Sequence, residues 1–422
     1  MINAVEVRNF RSLKYIYQPL RQFQVLVGPN ASGKTTFLDA ISFVSDIVKN
    51  GIQDAISKRT TNFDDLTFCG RGGNIEIALE VTLPLKIREQ LSERNYSCIR
   101  YELQVGKQTS SGEYGILEEA AFLMTDEACK KDNEQLVLEF PSLPLNNQTI
   151  MNRKFKSKTF KRVFRKNPIG NDNFYDETKK EAGKGWMPSF KFGIAKSALG
   201  NLPADASKFP ASSWLKDFLS LGVQVFILDS LTIRRPSPPG QSRLFKTDGS
   251  NLPWVIDNLK KQKKRYSQWI EHVRTALPDI EEIDVVQREE DKHKYIRINY
   301  ANNGKIPSWL VSDGTLRLLA LTITAYLPSF EGAYLIEEPE NGIHPKALET
   351  VYQSLSSVYH AQILLASHSP IILSMVKLPD LLCFAKTTDG TTDIVSGNKH
   401  PVLQNWKERM NLSDLFAGGI LG

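Results

Sequence analysis

Gly28-Pro29-Asn30-Ala31-Ser32-Gly33-Lys34-Thr35 spells G-x-x-x-x-G-K-[ST], and Thr36 continues it. The apolar run Phe23-Gln24-Val25-Leu26-Val27 precedes the motif and Phe37-Leu38-Asp39-Ala40-Ile41 follows it. That context reads as strand, loop and helix, the setting in which this motif cradles a phosphate chain. The glycines let backbone N–H groups turn inward, where the positive end of the following helix favours an anion. Lys34 is expected to reach the β/γ-phosphates as a point charge and the Thr35 hydroxyl to ligate Mg²⁺. The motif therefore predicts a nucleoside triphosphate and Mg²⁺ as ligands.

Working outward, three later segments carry matching chemistry. The strand Ala333–Ile336 runs into Glu337-Glu338-Pro339-Glu340. Carboxylates at the carboxyl edge of a sheet can hold Mg²⁺ and polarise a water. Glu337 is assigned to magnesium, directly or through a water, and Glu338 to the water as base; a solvated acidic turn is the alternative. After the next apolar strand comes Ser367-His368-Ser369-Pro370, where His368 could sense or stabilise the γ-phosphate or serve only structure. Before an apolar helix lies Ser312-Asp313-Gly314, which is an N-cap and, at a helix amino end, a second anion site.

Together the phosphate loop, Ser312-Asp313-Gly314, Glu337-Glu338-Pro339-Glu340 and Ser367-His368-Ser369 resemble the ABC-type ATPase heads of the SMC, RecF and OLD families. The resemblance covers about residues 1–80 and 220–375. It implies an α/β P-loop NTPase fold of the RecF/OLD-like ABC type, with a mixed central sheet, an antiparallel β subdomain and an inserted basic region. It also implies ATP as the nucleotide, and a homodimer or higher homo-oligomer in which two heads sandwich ATP and the signature loop of one completes the site of the other. Val7-Arg8-Asn9-Phe10-Arg11-Ser12 resembles the N-terminal strand of such heads, which would put Arg8 or Arg11 near the nucleotide. Glu337 stands where such heads usually have Asp, and Asp313 where they usually have Gly, so both bear on hydrolysis rate.

Along the chain, residues 1–140 read as the N-terminal part of the head, with alternating segments that predict an antiparallel sheet, Leu136-Val137-Leu138 among them. Residues 141–213 read as a basic, partly irregular insertion, and 214–422 as the C-terminal part of the head. One helix is expected over residues 252–277 and another from Thr315 to Tyr326. Arg153 to Lys166 holds eight Lys or Arg in fourteen residues, interleaved with Phe155, Phe160 and Phe164, and Lys260-Lys261-Gln262-Lys263-Lys264-Arg265 forms a second cluster. Such patterns suit DNA, a phage or effector protein of acidic surface, or simply solvated cations over docked aromatics.

The apolar fraction of 41%, charged fraction of 24% and net charge of +6 describe a globular chain. No apolar stretch reaches bilayer length, and the first twenty residues lack a hydrophobic signal region. A cytoplasmic protein without a membrane partner is expected. Cys69, Cys98, Cys129 and Cys383 are far apart and read as free thiols. No nuclease constellation and no long coiled coil is apparent. That pattern resembles the stand-alone ATPases of anti-phage operons of the PARIS, Septu and retron type. The expected function is an ATP-hydrolysing sensor or scaffold that controls a separately encoded effector (a Toprim or HNH nuclease, or a toxin). A RecF-like repair ATPase and a non-hydrolysing nucleotide-gated scaffold are the alternatives.

Overall fold

The computed structural model describes residues 1–93, 95–109, 111–129, 139–143, 149–151, 159–167, 169–178, 188–302, 304–327, 330–404 and 412–419. A six-stranded sheet has the order Val223–Phe226, Gly332–Glu337, Ala361–Ala366, Phe23–Val27, Leu381–Lys386, Thr392–Ser396. Its first five strands are parallel and the last is antiparallel. Ala361–Ala366 is buried along its whole length, because helices cover both faces of such a sheet and every side chain meets core. An N-terminal strand thus sits between strands from the far end of the chain, so neither half completes the sheet alone. The carboxyl ends of three neighbouring strands (Glu337, Ala366 and Lys386) converge on the loop after Val27, the usual place for a ligand in an open α/β sheet.

Beside it lies an eight-stranded antiparallel sheet in the order Leu13–Pro19, Ile2–Phe10, Ile75–Thr82, Tyr96–Lys107, Tyr114–Thr125, Phe160–Lys166, Asp172–Phe174, Ser189–Phe190. One apolar core joins this sheet to the Lys34–Asn50 helix, through residues such as Phe10, Phe37, Phe43, Leu79 and Leu123. A second core fills the other face of the parallel sheet, under helices Leu252–Lys260, Lys263–Ala276, Asp313–Thr322 and Pro345–Ser356. A small sheet of Ile280–Gln287, Lys294–Tyr300 and Gly304–Pro307 joins that core. Among the described residues, no helix is long and apolar enough to cross a membrane.

Three expectations need correction. The helix over 252–277 is two, broken at Gln262, whose φ of −100° and ψ of 71° leave the helical region. The break lets Val255 and Ile256 on one side and Trp269 and Val273 on the other each face the core. The helix expected from Thr315 begins two residues earlier and tightens after Thr322 into a 3₁₀ turn, Ile323–Tyr326. Cys98 and Cys129 are not free thiols but a disulfide. The hairpin pairs Cys98 with Met124, and the short helix Asp126–Cys129 then turns back beside it, a proximity invisible at a separation of 31 residues.

Within the residues read as a basic, partly irregular insertion, the latter half of the Arg153 to Lys166 cluster is regular. Phe160–Lys166 is a strand of the antiparallel sheet; Phe164 and Val163 are buried, and buried Lys166 pairs with Asp172 at 3.1 Å. Lys161 donates to Ser92 Oγ and the Glu177 carbonyl, and the Arg162 guanidinium lies over the Phe122 ring. These cations are held by the fold. Arg153 to Lys158, and Leu136-Val137-Leu138, lie outside the described residues.

Candidate active site

The phosphate loop is shaped by backbone that few residue types accept. Gly28 and Gly33 have φ of 153° and 105°. A Cβ on Gly28 would lie 2.2 Å from the Phe384 carbonyl oxygen, and one on Gly33 would lie 2.2 Å from Thr392 Oγ1. The loop is pressed against the strands from the chain's far end, and glycine is required for that approach. Thr392 fastens it: its hydroxyl bonds Ser12 Oγ and the Ser32 carbonyl, each at 2.9 Å, and its N–H donates to the Ser12 carbonyl.

The Lys34–Asn50 helix starts here with no side-chain cap and no acidic residue in its first turn. Uncapped N–H groups and the helix dipole therefore face the loop with no carboxylate of the helix's own first turn to neutralise them. Lys34 is only 6% exposed. Its ammonium donates to the carbonyls of Gly28 and Pro29 at 2.8 and 2.9 Å. Burial pulls its pKa down to about 8, against the opposing pull of Glu338 and Glu337.

A cavity of about 530 Å³ opens over this loop, lined by Arg11, Ser12, Asn30, Ala31, Gly33, Lys34, Thr35, Thr36, Glu337, Glu338, Ala366, His368 and Lys386. Thr35 Oγ1 donates to Glu337 Oε2 at 2.6 Å. A hydroxyl and a carboxylate oxygen side by side are hard donors that suit Mg²⁺. Together with the uncapped helix end, they make these residues fit a magnesium-bound phosphate chain.

Glu338 holds a left-handed backbone with φ of 45°, a conformation costly for a non-glycine residue and found disproportionately at functional sites. Its N–H donates to the Ala366 carbonyl, and its Oε2 accepts from Asn341 Nδ2 at 2.6 Å. Two residues on, Glu340 Oε1 accepts from Ser367 Oγ at 2.9 Å and from the His368 N–H at 2.7 Å. Glu340 thereby fixes the turn that aims His368 at the cavity. Burial, and secondarily the Lys34 charge, lower the His368 pKa, against Glu338 and Glu340. The imidazole is thus biased toward its neutral form.

The structure does not gather every predicted residue into this cavity. Arg11 lines it and pairs with Asp39 at 3.0 Å, whereas Arg8 lies on the antiparallel sheet beside Glu76 at 3.4 Å. Ser312, Asp313 and Gly314 are not among the lining residues. Ser312 caps its helix by accepting from the Thr315 N–H, and Asp313 pairs with Arg234 at 2.8 Å. A Cβ on Gly314 would lie 2.4 Å from the Gly342 carbonyl oxygen, so this loop packs directly against the segment that follows the acidic strand. Gly314→Ala is accordingly expected to cost about 1–3 kcal/mol of stability, read as a lowered denaturant midpoint.

Sequence reasoning missed Lys386, Ser12, Thr392 and Glu340. The one signal for Lys386 was its place at the carboxyl end of an apolar strand. Lys386→Ala is expected to weaken ATP binding about two- to five-fold, the worth of an exposed cation on a phosphate, measured by titration calorimetry.

A family model described as "AAA ATPase domain" matches residues 1–188, and one described as "AAA domain, putative AbiEii toxin, Type IV TA system" matches residues 216–374. The chain is 22% identical over 409 residues to "Retron Vc95 probable ATPase" of Vibrio cholerae serotype O1 biovar El Tor, covering 89% of this chain and 71% of that protein. The crystal structure of an SmcHead bound to the C-winged helix domain of ScpA superposes with a TM-score of 0.51 at 14% identity, covering 94% of this chain and 97% of that one. That likeness concerns the fold. With a phosphate loop, an acidic strand end and His368 around one cavity, the chain has the fold of an ABC-type ATPase head, and its sequence is similar to AAA domains in both halves and to a retron ATPase.

Proposed function

We propose that this chain binds ATP with Mg²⁺ and hydrolyses it at a site closed by a second copy, and that the cycle controls a separately encoded effector in an anti-phage defence complex. One observation carries the composite site. Lys34, Thr35, Glu337, Glu338 and His368 line one cavity, while Ser312 caps a helix elsewhere on the surface, with large apolar side chains of its neighbourhood exposed, Trp309 at 42% and Leu310 at 71%. An uncovered apolar rim around an anion-binding helix end is what a partner head would cover. In this reading residues 1–140 and 214–422 are the two parts of the head and 141–213 is its insertion.

Lys34 turns from its loop carbonyls to the phosphates, the loop N–H groups hold the bridging oxygens, and Arg11 and Lys386 add charge at the rim. Thr35 and Glu337 would hold Mg²⁺, which when bound neutralises charge on the β/γ-phosphates. Glu338 takes the proton of the attacking water as the water oxygen bonds to phosphorus and the bond to the ADP oxygen breaks. Neutral His368 donates an N–H to the γ-phosphate, held in place through Glu340.

The defence role rests on the similarity to a retron ATPase and to the family "AAA domain, putative AbiEii toxin, Type IV TA system". It is tested by co-expressing the chain with the product of the neighbouring gene and challenging cells with phage. Co-purification, and protection that is lost with Lys34→Ala, are expected; a repair-gene neighbour and no protection would favour the RecF-like reading. A second reading, a nucleotide-gated scaffold without turnover, requires the 2.8 Å pair of Asp313 with Arg234 to open, so that a bare carboxylate beside Ser312 opposes phosphate.

A further inference from the structure

We propose that a groove at the amino ends of the parallel strands, opposite the nucleotide cavity, binds single-stranded nucleic acid. The groove, of about 250 Å³, is lined by Arg265, Gln268, Tyr326, Tyr334, Tyr359 and His360 among others. That is below the roughly 300–1,000 Å³ of pockets that swallow a whole small molecule, and it suits a flat ring entering from one side. Beneath it, Phe330 stacks on Tyr334 with centroids 4.6 Å apart and planes 14° apart, and Tyr334 is only 2% exposed, so these two rings support the groove from below. On its rim, Tyr359 is 77% exposed, a large ring offered to solvent at the head of a parallel strand.

The cations sit on one side of this aromatic surface. Arg265 lines the groove, and Lys261, Lys263 and Lys264 precede it at the break between two helices, all exposed. Among the described residues no ion pair engages these four; Lys260 of the same cluster is taken by Glu282 and Asp284. The Lys263–Ala276 helix begins with this cluster, carries no acid in its first turn and has no side-chain cap. Cations at a helix amino end oppose the dipole, so the fold gains nothing from them there, whereas a phosphate backbone would satisfy both charge and dipole. Two carboxylates are near, Glu271 beside Tyr326 and Glu331 beside the terminal ammonium of Met1. Neither carboxylate is in an ion pair with the four cations among the described residues. A cationic track next to the exposed Tyr359 ring is the arrangement that holds an unpaired base without reading it. An acidic polypeptide would use the charges and leave the rings idle.

The test is fluorescence anisotropy of the full chain with labelled oligothymidylate about twenty nucleotides long, at several salt concentrations. The wild type is expected to bind, with affinity falling steeply with salt. Lys261→Gln/Lys264→Gln/Arg265→Gln should weaken binding at least about tenfold and lower the salt slope by about two, since each phosphate contact on a single strand contributes about 0.7. Tyr359→Ala should weaken binding about five-fold or more with the salt slope unchanged, the loss of one stacked base. Lys49→Gln/Lys86→Gln/Lys196→Gln, equal in charge, exposed and not among the groove's lining residues, should bind as wild type. Photo-crosslinking of unsubstituted protein with 4-thiothymidine in the same oligonucleotide should map to residues 357–361, so the test survives a poorly folding variant. The proposal is overturned by no wild-type binding at low salt, by equal weakening in the control triple, by crosslinks outside the groove, or by polyglutamate displacing the oligonucleotide charge for charge.

Discussion

Lys34→Ala raises the Kd for ATP by about a hundredfold or more, the worth of a charge-assisted contact to phosphate in a largely buried site. The ammonium is the only cation in the loop itself, and its present partners are loop oxygens, Gly28 O, Pro29 O and Ser32 Oγ. Removing it therefore spares the two apolar cores. Calorimetric titration shows the loss directly; in parallel, ATP should raise the melting temperature of the wild type and leave that of the variant unmoved. Wild-type melting without ATP equal to that of Lys34→Ala would establish that folding is intact. Retained tight binding would remove Lys34 from the site.

The same lysine gives the site a pH signature. Its pKa in the nucleotide-free protein is about 8, because burial disfavours the charged form. Above that pH the empty site holds a neutral amine, and binding a phosphate chain must first load a proton. ATP affinity is expected to hold below pH 8 and to fall above it by up to about tenfold per pH unit. Calorimetry in buffers of different ionisation enthalpy should show proton uptake above pH 8 and little below. For stability the sign is opposite: the folded state binds fewer protons than the unfolded chain between about 8 and the ordinary lysine value of 10.5, so this group's penalty shrinks as pH rises through that window.

Glu338→Gln has the second large effect, on turnover alone. The amide keeps the shape of the side chain and can still accept from Asn341 Nδ2, but it cannot take a proton. Phosphate release should fall by about 10²–10⁴ while the Kd for ATP changes less than threefold. The positive φ of Glu338 is expected to persist, since glutamine differs from glutamate by one group at its tip. Equal release by variant and wild type would remove Glu338 as base. No release from either protein, with Mg²⁺, DNA and a co-purified partner each supplied, would establish the nucleotide-gated scaffold instead.

Much of the site could be read locally because its chemistry is contiguous. The phosphate loop needs consecutive residues with fixed backbone, and the acidic pair needs a strand end. The two arginines show where local reading stops. Arg8 is within the Ile2–Phe10 strand and pairs across it with Glu76. Asn9 and Arg11 then take positive φ, 61° and 49°, with Asn9 anchored by Gly72 and Asn74 carbonyls. That twist turns Arg11 out of the sheet and into the cavity. Alternation along a strand cannot foresee it.

The sequence was sufficient for whatever one segment's geometry imposes: a phosphate loop on a strand and helix, a carboxylate pair ending another strand, an α/β head in two parts. It was silent on which distant segments meet. Thr392 clasps Ser12 and Ser32 across 380 and 360 residues, Lys386 reaches the cavity because Leu381–Lys386 pairs with Phe23–Val27, and Cys98 joins Cys129 through a hairpin. Each depends on strand order, which short-range periodicity does not encode, because a strand's pattern specifies the faces it buries and not the neighbour it pairs with.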